Sequence, residues 1–264
     1  MTIAPLFHRE YGNASPGAPA LLLLHGLFGS SANWHGIARR LADHYRILVP
    51  DLRNHGRSGW STRMSYEAMS EDLIALMDHL DCPRASVVGH SMGGKAAMWL
   101  ALTEPRRIDK LVVADIAPVR YRSRFSEIIA GLNGLNLADL KSREQADSLL
   151  GQTVPEQAIR SYLLQNLGRN GGAWQWRMNL PVIAENIGSI MDFPATDGQQ
   201  YPGPVQVIYG TSSNYVQGTH LAAIKRLFPL ARLRAIPNAG HWVYADRPDP
   251  FVAAVNDFLG ARRG

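Results

Sequence analysis

Six short apolar runs recur along the chain, with amphipathic segments between them. Each run is bounded by glycine, proline or aspartate, and its hydrophobicity is continuous rather than alternating, which is typical of a strand buried on both faces. The runs read ALLLLHG, YRILVPD, ASVVGHS, DKLVVADIAP, PVQVIYG and ARLRAIPNAG. Helical periodicity fills residues 34–43, 66–80, 94–103, 218–228 and 249–259. The alternation predicts an α/β fold, a mostly parallel sheet with helices on both faces.

This alternation is interrupted between residues 119 and 201. Leucine-rich helical patterns such as EIIAGLNGLNLADL and EQAIRSYLLQNLG come first, and a tryptophan-rich piece, GGAWQWRMNLPVIAENI, follows them. None of these patterns contains a convincing buried strand. Because a long insertion in a compact sheet typically covers a functional site, we predict a helical cap at residues 119–201. The core is then formed by residues 1–118 and 202–264.

Length and composition agree with one globular domain that carries this insertion. Of the 264 residues, 46% are hydrophobic and 19% are charged, so the chain can bury a large core. The longest aliphatic run, Ala20–Leu24, is far shorter than the ~20 apolar residues of a membrane-spanning helix. The N-terminal residues lack a basic start followed by an apolar stretch. We therefore expect a cytoplasmic protein without a membrane span.

Cysteine content and charge argue against several kinds of partner. Cys82 is the single cysteine, which excludes an intrachain disulfide and a cysteine-rich metal site, and we expect neither a metal nor a cofactor. The net charge of +5 comes from 27 Lys and Arg against 22 Asp and Glu. Because these basic residues are scattered, nucleic-acid binding is not expected. Nothing in the sequence specifies an oligomeric state.

One basic group stands at the predicted entrance to the cap. It consists of Arg120, Arg122 and Arg124. The group is either a solvated helix start or a site that attracts an anionic leaving group, such as the phosphates of coenzyme A.

The stretch VVGHSMGGKAAMWL contains two overlapping motifs. From Gly89 to Gly93 it is G-x-S-x-G, the strand-to-helix turn that presents a serine nucleophile, here Ser91. From Gly89 to Lys95 it is G-x-x-x-x-G-K, a phosphate-binding loop, but Ala96 stands where that loop needs a hydroxyl for Mg²⁺. The serine interpretation explains every residue that it uses. It predicts a serine hydrolase, and nucleotide binding is the alternative.

A serine nucleophile needs a base and a site that stabilises an oxyanion. His241 follows the last predicted strand, and open α/β sheets bind ligands at the carboxyl ends of their strands, so we predict His241 as the base. In the loop HGLFGS and after the serine, the backbone N–H groups of Leu27 and Met92 are the predicted oxyanion hole. His25 is interpreted as a structural histidine of that loop, and His55 as structural or rim-lining.

The sequence resembles the α/β-hydrolases, and within them the YbfF-type esterases and their eukaryotic α/β-hydrolase-domain relatives. The segments that carry the resemblance are LLLHGLFGSSANW, VPDLRNHGRS, VVGHSMGGKAAM, RIDKLVVADIAPV and GHWVYADRP, in the family's order and over nearly the whole chain. The resemblance implies an eight-stranded sheet and a helical cap over the pocket. It also implies hydrolysis of acyl esters or thioesters without a cofactor.

The acidic member of the triad departs from the common α/β-hydrolase pattern. An aspartate is expected after the strand that follows the cap, but that strand is followed by TSSN. Asp115 leaves the preceding strand at the same edge, and the YbfF-type proteins have their acid in the matching DIAP segment, so Asp115 is the predicted acid. The alternatives are Asp51, which would otherwise bond loop amides, Asp246, which is close in sequence to His241, and a Ser–His dyad.

These residues predict cleavage of a carboxylic ester or thioester, acyl-CoA included, through an acyl-enzyme on Ser91. Acyl transfer by the same triad and a non-enzymatic ligand-binding protein on this scaffold are the alternatives. The predicted partner is a small-molecule acyl ester or thioester, held in an apolar pocket. The side chains predicted to bind it are Phe28, Trp174, Trp176, Tyr215 and Trp242, although aromatic residues at such positions also form cap cores.

Overall fold

A computed structural model describes residues 3–12, 18–122 and 125–260 of the chain. The strands are β1 (His8–Tyr11), β2 (Ala20–Leu24), β3 (Arg46–Pro50), β4 (Ala85–His90), β5 (Ile108–Ala114), β6 (Leu167–Asn170), β7 (Ala173–Trp176), β8 (Val205–Gly210) and β9 (Ala231–Ile236). Seven of them form the main sheet, in the order β1-β3-β2-β4-β5-β8-β9, while β6 and β7 pair only with each other. In the main sheet β1 is antiparallel to β3 and the other neighbours are parallel.

The predicted fold class is confirmed, and all six apolar runs contain strands of the main sheet. Over the described residues this sheet has one strand fewer than the eight that the resemblance implies. The remaining strand of the main sheet, β1, was not predicted, because its sequence HREY has no apolar run and its two central residues are exposed. It lies at the sheet edge, where a strand needs no second buried face.

Helices cover both faces of the main sheet, because successive side chains of each strand point to opposite faces. In β2, for example, Leu22 and Leu24 belong to one apolar cluster, and Leu21 and Leu23 belong to the other. The first cluster includes α2 (Tyr66–His79), α3 (Met92–Thr103) and α8 (Leu221–Leu227). The second includes α1 (His35–Leu41), α9 (Val243–Asp246) and α10 (Pro248–Leu259).

The insertion between β5 and β8 contains mostly helices. They are α4 (Phe125–Asn133), α5 (Arg143–Leu150), α6 (Gln157–Leu164) and α7 (Leu180–Met191). The β6–β7 hairpin stands between α6 and α7, and it corrects the expectation of a purely helical cap. Its turn consists of Gly171 and Gly172, both at positive φ, as a tight hairpin turn requires. Because the hairpin is largely exposed, its sequence has no buried-strand pattern.

One buried ammonium group joins both ends of the cap to the core. Lys95, on α3, donates from Nζ to the carbonyl oxygens of Val119 at 2.9 Å, Met191 at 3.0 Å and Asp192 at 2.8 Å. The two ends also bond each other, since the backbone N–H of Tyr121 donates to the Met191 carbonyl at 2.9 Å. The start of the cap and the end of its last helix, α7, therefore meet at Lys95 of α3.

A buried ion pair fixes the loop after β3 to α2. Arg53 and Asp72 are both almost fully buried, and two guanidinium nitrogens contact the two carboxylate oxygens at 2.6 Å and 2.7 Å. Arg53 also donates to the carbonyls of Arg63 and Ala68, and Asp72 accepts from the backbone N–H of Ala4. Every charged atom of the pair is thus compensated, which a buried pair requires.

Replacing Asp72 by Asn should lower the free energy of unfolding by about 3–5 kcal/mol, because the change leaves a buried guanidinium without its counter-charge. Urea unfolding followed by circular dichroism measures the loss. Asp109→Asn is the matched control, since Asp109 pairs with Arg84 at 2.7 Å on the exposed surface, where a pair contributes at most about 1 kcal/mol. Equal losses in the two variants would contradict the prediction.

Candidate active site

Ser91 stands at a strained turn between β4 and α3. Its backbone is at φ +52° and ψ −117°, a conformation that residues with a side chain rarely adopt. The flanking glycines make the turn possible: a Cβ on Gly89 would lie 2.3 Å from the Gly93 carbonyl oxygen, and one on Gly93 would lie 2.5 Å from those of Leu24 and His25. The G-x-S-x-G interpretation of this stretch therefore matches the local geometry.

The structure brings the three predicted triad residues together. His241, in the loop between β9 and α9, lies with Nε2 3.1 Å from the Ser91 hydroxyl oxygen and with Nδ1 2.8 Å from Oδ2 of Asp115. Asp115 follows β5 directly and is fully buried. A carboxylate only accepts, so Nδ1 carries the proton and the lone pair of Nε2 faces the serine hydroxyl. This arrangement suits removal of the hydroxyl proton by the imidazole.

Neighbouring groups hold the acid and the imidazole in place. The Asp115 carboxylate also accepts from the backbone N–H of Gly210 at 3.2 Å and from the Ser213 hydroxyl. Ser213 lies in the TSSN segment, so a hydroxyl there bonds the acid that comes from the neighbouring strand. The Tyr215 ring stacks on the imidazole of His241, with 3.8 Å between the ring centroids. His90 donates from Nε2 to the backbone carbonyl of His241 at 2.8 Å.

The two alternative acids have other partners. Asp51 accepts from the backbone N–H groups of Ser31 at 2.5 Å and Arg57 at 2.9 Å, so it bonds loop amides. Asp246 accepts from the backbone N–H of Gly240 at 2.7 Å. Each carboxylate therefore holds a loop, while the Asp115 carboxylate bonds the imidazole.

Lys95, the lysine of the phosphate-loop interpretation, also bonds other groups of the protein. The three hydrogen bonds of the Lys95 ammonium go to carbonyl groups at the ends of the cap. Burial lowers the pKa of Lys95 to about 7. A buried lysine with these acceptors does not present an ammonium group to a bound phosphate, so the geometry favours the serine interpretation.

Leu27 and Met92, whose N–H groups are the predicted oxyanion donors, line a small cavity together with Ser91. In the loop of residues 26–29, which we name the Gly26 loop, the carbonyl of Gly26 accepts from Nδ1 of His25 at 2.8 Å and from the N–H of Gly29 at 2.9 Å. In a trans peptide the N–H points opposite to the carbonyl, so these bonds direct the Leu27 N–H away from them. Met92 is the first residue of α3, where an N–H has no acceptor within the helix.

Two buried histidines support the Gly26 loop from the core. His55 donates from Nδ1 to the Arg53 carbonyl at 2.9 Å, and its Nε2 accepts from the backbone N–H of Phe28 at 3.2 Å. Nε2 of His25 accepts from the N–H of Leu52 at 2.9 Å. Both rings must be neutral to accept at Nε2. Burial accordingly lowers the pKa of His25, and it lowers the pKa of His55 to about 3.

An apolar cavity of about 620 Å³ opens above Ser91 and His241. Among the predicted substrate-binding residues, Phe28, Tyr215 and Trp242 line it. Trp174 and Trp176 are not among its lining residues. They lie on β7, where the ring of Trp174 contacts the Arg169 guanidinium. The apolar and aromatic residues that line the cavity are Leu27, Phe28, Tyr121, Phe125, Ile128, Ile159, Tyr162, Leu163, Tyr215 and Trp242.

Several of these lining residues were not among the five predicted substrate-binding residues. Phe125 and Ile128 lie three residues apart on α4, and Ile159, Tyr162 and Leu163 lie three and four residues apart on α6. This spacing places each set on one face of its helix. The signal was present in the sequence, but the same spacing also describes a helix that packs into the cap interior.

The described residues contain neither a group of metal-binding side chains nor a membrane-spanning helix. In residues 3–12, 18–122 and 125–260, no three His, Cys, Asp or Glu side chains are grouped so that they could hold a metal ion. Over the same residues, the helices are too short or too polar to cross a membrane.

The family model described as the alpha/beta hydrolase fold matches residues 19–248. The chain belongs to this family. It is 43% identical over 249 residues to the sn-1-specific diacylglycerol lipase ABHD11 of Mus musculus. This alignment covers 91% of this chain and 81% of the mouse protein. It is 37% identical over 240 residues to the esterase YbfF of Escherichia coli strain K12, at 90% and 92% coverage. These relatives confirm the predicted class, a carboxylic ester hydrolase.

A solved structure shows the same architecture for the whole α/β-hydrolase chain. The structure titled marine microorganism esterase superposes with a TM-score of 0.92 at 36% identity, and the match covers 97% of this chain and 99% of that one. The fold is therefore shared with an esterase over nearly the full length of both chains.

The low pKa of His55 predicts acid sensitivity. Below the ordinary pKa of 6.5 the unfolded chain binds a proton at this residue, whereas the folded chain does not until about pH 3. Stability is therefore present above pH 6.5 and is lost as the pH falls, by up to about 1.4 kcal/mol per pH unit. His55→Asn should be less stable than wild type at pH 7 but should lose about 2 kcal/mol less between pH 6.5 and 4.5.

Urea unfolding at several pH values measures this difference. The control is His79→Asn, which removes an exposed imidazole at the end of α2. If His55→Asn and wild type lose stability in parallel as the pH falls, the buried neutral state of His55 is refuted.

Proposed function

We propose that this α/β-hydrolase cleaves esters of apolar acyl groups through an acyl-enzyme on Ser91. The observation that carries the proposal is the line of contacts from Asp115 through His241 to Ser91, at 2.8 Å and 3.1 Å, at the base of an apolar cavity. A serine hydroxyl is a weak nucleophile unless a base is in contact with it, and this geometry supplies one.

The reaction proceeds in two halves. Oγ of Ser91 attacks the ester carbonyl carbon while its proton passes to Nε2 of His241. The tetrahedral intermediate collapses, the alcohol leaves with that proton, and the acyl group stays on the serine as an ester. Water then attacks this ester and gives a proton to Nε2. The acid leaves, and the proton returns to the Ser91 oxygen.

Asp115 and two backbone amides stabilise the charges that develop in both halves. The buried carboxylate keeps the proton on Nδ1 and stabilises the imidazolium. The N–H groups of Leu27 and Met92 donate to the oxyanion of each tetrahedral intermediate. Since these donors belong to a bonded loop and a helix N-terminus, they are already oriented before the substrate binds.

The cavity favours an apolar acyl chain. Its aromatic and aliphatic lining, with Phe28, Tyr215 and Trp242 among it, buries apolar surface at about 25 cal/mol per Å². Trp174 and Trp176 have no place in this proposal, because they lie on the cap hairpin. Thioesters fit the same chemistry, since the serine oxygen attacks a carbonyl carbon in both and a thiol leaves in place of the alcohol.

The position of one arginine supports an anionic leaving group such as coenzyme A. Arg122 lines both the acyl cavity and an adjoining one that Arg120 also lines. The side chain of Arg120 is largely exposed and lies 3.7 Å from the Asp192 carboxylate. Arg124, the third member of the predicted basic group, lies outside the described residues.

Replacing Ser91 by Ala should lower ester turnover by roughly 10³-fold or more with the fold intact, because the triad acts as a unit. The assay uses fluorogenic esters of increasing acyl length, and a fluorophosphonate probe should label wild type but not the variant. Ser189→Ala, an exposed serine on α7, is the control. Wild type without activity on any ester, or a fully active Ser91→Ala, would overturn the proposed function.

Asp115→Asn should lower kcat by at least ~10²-fold with a smaller change in KM, because the amide no longer fixes the histidine tautomer. Asp246→Asn and Asp51→Asn serve as controls, and both should retain most of the turnover, although Asp51→Asn loosens the loop that it bonds. A fully active Asp115→Asn would refute the assignment. If Asp246→Asn alone were inactive, the acid would be Asp246, and if all three were active, the enzyme would work as a dyad.

A further inference from the structure

The cap bonds the Gly26 loop directly. The hydroxyl of Tyr162, on α6, donates to the carbonyl oxygen of Leu27 at 3.0 Å. Nδ2 of Asn166, just after α6, donates to the carbonyl oxygen of Phe28 at 2.7 Å. The insertion thus contributes hydrogen bonds to the loop that carries a proposed oxyanion donor, in addition to covering the cavity.

The bonds of the Gly26 loop divide between core and cap. Core groups fix the Gly26 carbonyl and the Phe28 N–H, and the Gly29 N–H turns back onto Gly26. The carbonyls of Leu27 and Phe28 are held by the cap. The Leu27 carbonyl shares a rigid trans peptide with the Phe28 N–H, so the Tyr162 hydroxyl and His55 hold that plane from the cap and from the core. The Gly26 carbonyl shares the preceding peptide with the Leu27 N–H, so holding both planes restricts the rotation about the backbone bonds of Leu27 that lie between them. Leu27 itself lines the cavity above Ser91.

The close approach of Tyr162 is built into the loop sequence. A Cβ on Gly29 would lie 2.7 Å from the Tyr162 hydroxyl oxygen, so a side chain at position 29 would displace the phenol. The Tyr162 ring also packs against Trp242, with 5.1 Å between ring centroids, next to His241 in the chain. Burial raises the pKa of Tyr162, which keeps the hydroxyl protonated and able to donate.

We propose that Tyr162 is a positioning residue that the cap supplies to the oxyanion hole. Its hydroxyl fixes the Leu27–Phe28 peptide, while core bonds fix the Gly26–Leu27 peptide, and together they hold Leu27 in the one backbone conformation in which its N–H meets the oxygen of the tetrahedral intermediate. The inference rests on the proposed function and goes beyond it, because it makes the cap part of the catalytic apparatus. Removing the hydroxyl should therefore reduce the stabilisation of the transition state by the enzyme. Binding of the ester in its ground state should remain almost unchanged.

The test is Tyr162→Phe, which deletes one oxygen and keeps the ring against Trp242. Removing an oxyanion donor costs 10²–10³-fold, so loosening one should lower kcat by about tenfold, with KM within about twofold. Binding of an alkyl trifluoromethyl ketone, whose adduct with Ser91 places an oxyanion in the same site, should weaken by the same factor as kcat/KM. The rate of fluorophosphonate labelling should fall as well.

Tyr66→Phe is the matched control. The buried hydroxyl of Tyr66 donates to a cap carbonyl too, that of Ile190, but it does not bond the Gly26 loop. It should leave kcat and ketone binding unchanged. A merely structural contribution of tyrosine hydroxyls to the cap would move both variants alike, and that result would overturn the inference.

Two further outcomes separate this inference from the proposed function. If wild type hydrolyses esters and reacts with the phosphonate while Tyr162→Phe matches it, or raises only KM, the positioning role is wrong and the proposed function stands. If wild type neither hydrolyses esters nor reacts with the phosphonate, the proposed function fails, and the positioning role fails with it. A melting curve shows that Tyr162→Phe is folded under the assay conditions.

Discussion

The close contact between the turn at Ser91 and the end of β2 governs the geometry of the whole site. At Gly93 the start of α3 approaches the carbonyls of Leu24 and His25 so closely that no Cβ fits between them. The Gly26 loop begins at this same point. The turn that carries the proposed nucleophile therefore packs directly against the start of the loop that carries one of the proposed amide donors, and this packing helps to maintain the positive φ of Ser91.

Parallel topology explains why the meeting of the three predicted triad residues could be anticipated. Ser91, Asp115 and His241 follow the carboxyl ends of β4, β5 and β9. Because these strands are parallel, their carboxyl ends lie on the same side of the sheet. Asp51 follows a strand too, but β3 lies on the opposite side of β4 from β9, so its carboxylate is far along the sheet from the imidazole. The strand order decides between the two aspartates, and a single sequence does not reveal that order.

The cap was less predictable, for a physical reason. A buried strand or a strained turn restricts residue types strongly, whereas an exposed hairpin such as β6–β7 restricts them little. The tryptophan-rich sequence around Trp174 and Trp176 stands out, but both residues lie on that hairpin. Tyr162 does not stand out in its helical sequence, yet it lines the cavity. Helical spacing shows which residues share a face. It does not show whether that face packs against protein or borders a cavity.

Polar contacts between cap and core are numerous and mostly buried. Besides those from Lys95 and Tyr162, the side chain of Asn179 bonds that of Asn54, and the backbone of Met178 pairs with that of His55. Lifting the cap as a unit would leave these donors and acceptors unpaired unless water replaced every bond, at about 1–3 kcal/mol for each group that stayed buried. The hydrogen bonds therefore favour a cap that remains packed against the core during turnover.

The convergence of both cap ends on Lys95 has an evolutionary consequence. Because Tyr121 and Met191 bond each other, the core meets the cap as it would meet the two ends of a short loop. The entropy of closing a segment grows only with the logarithm of its length. An insertion of another size or sequence, spliced at this point, would leave the strand ends that carry Ser91, Asp115 and His241 undisturbed. The joint thus separates the size of the insertion from the positions of these three residues, although an exchanged insertion would still have to supply the bond that Tyr162 makes to the Gly26 loop.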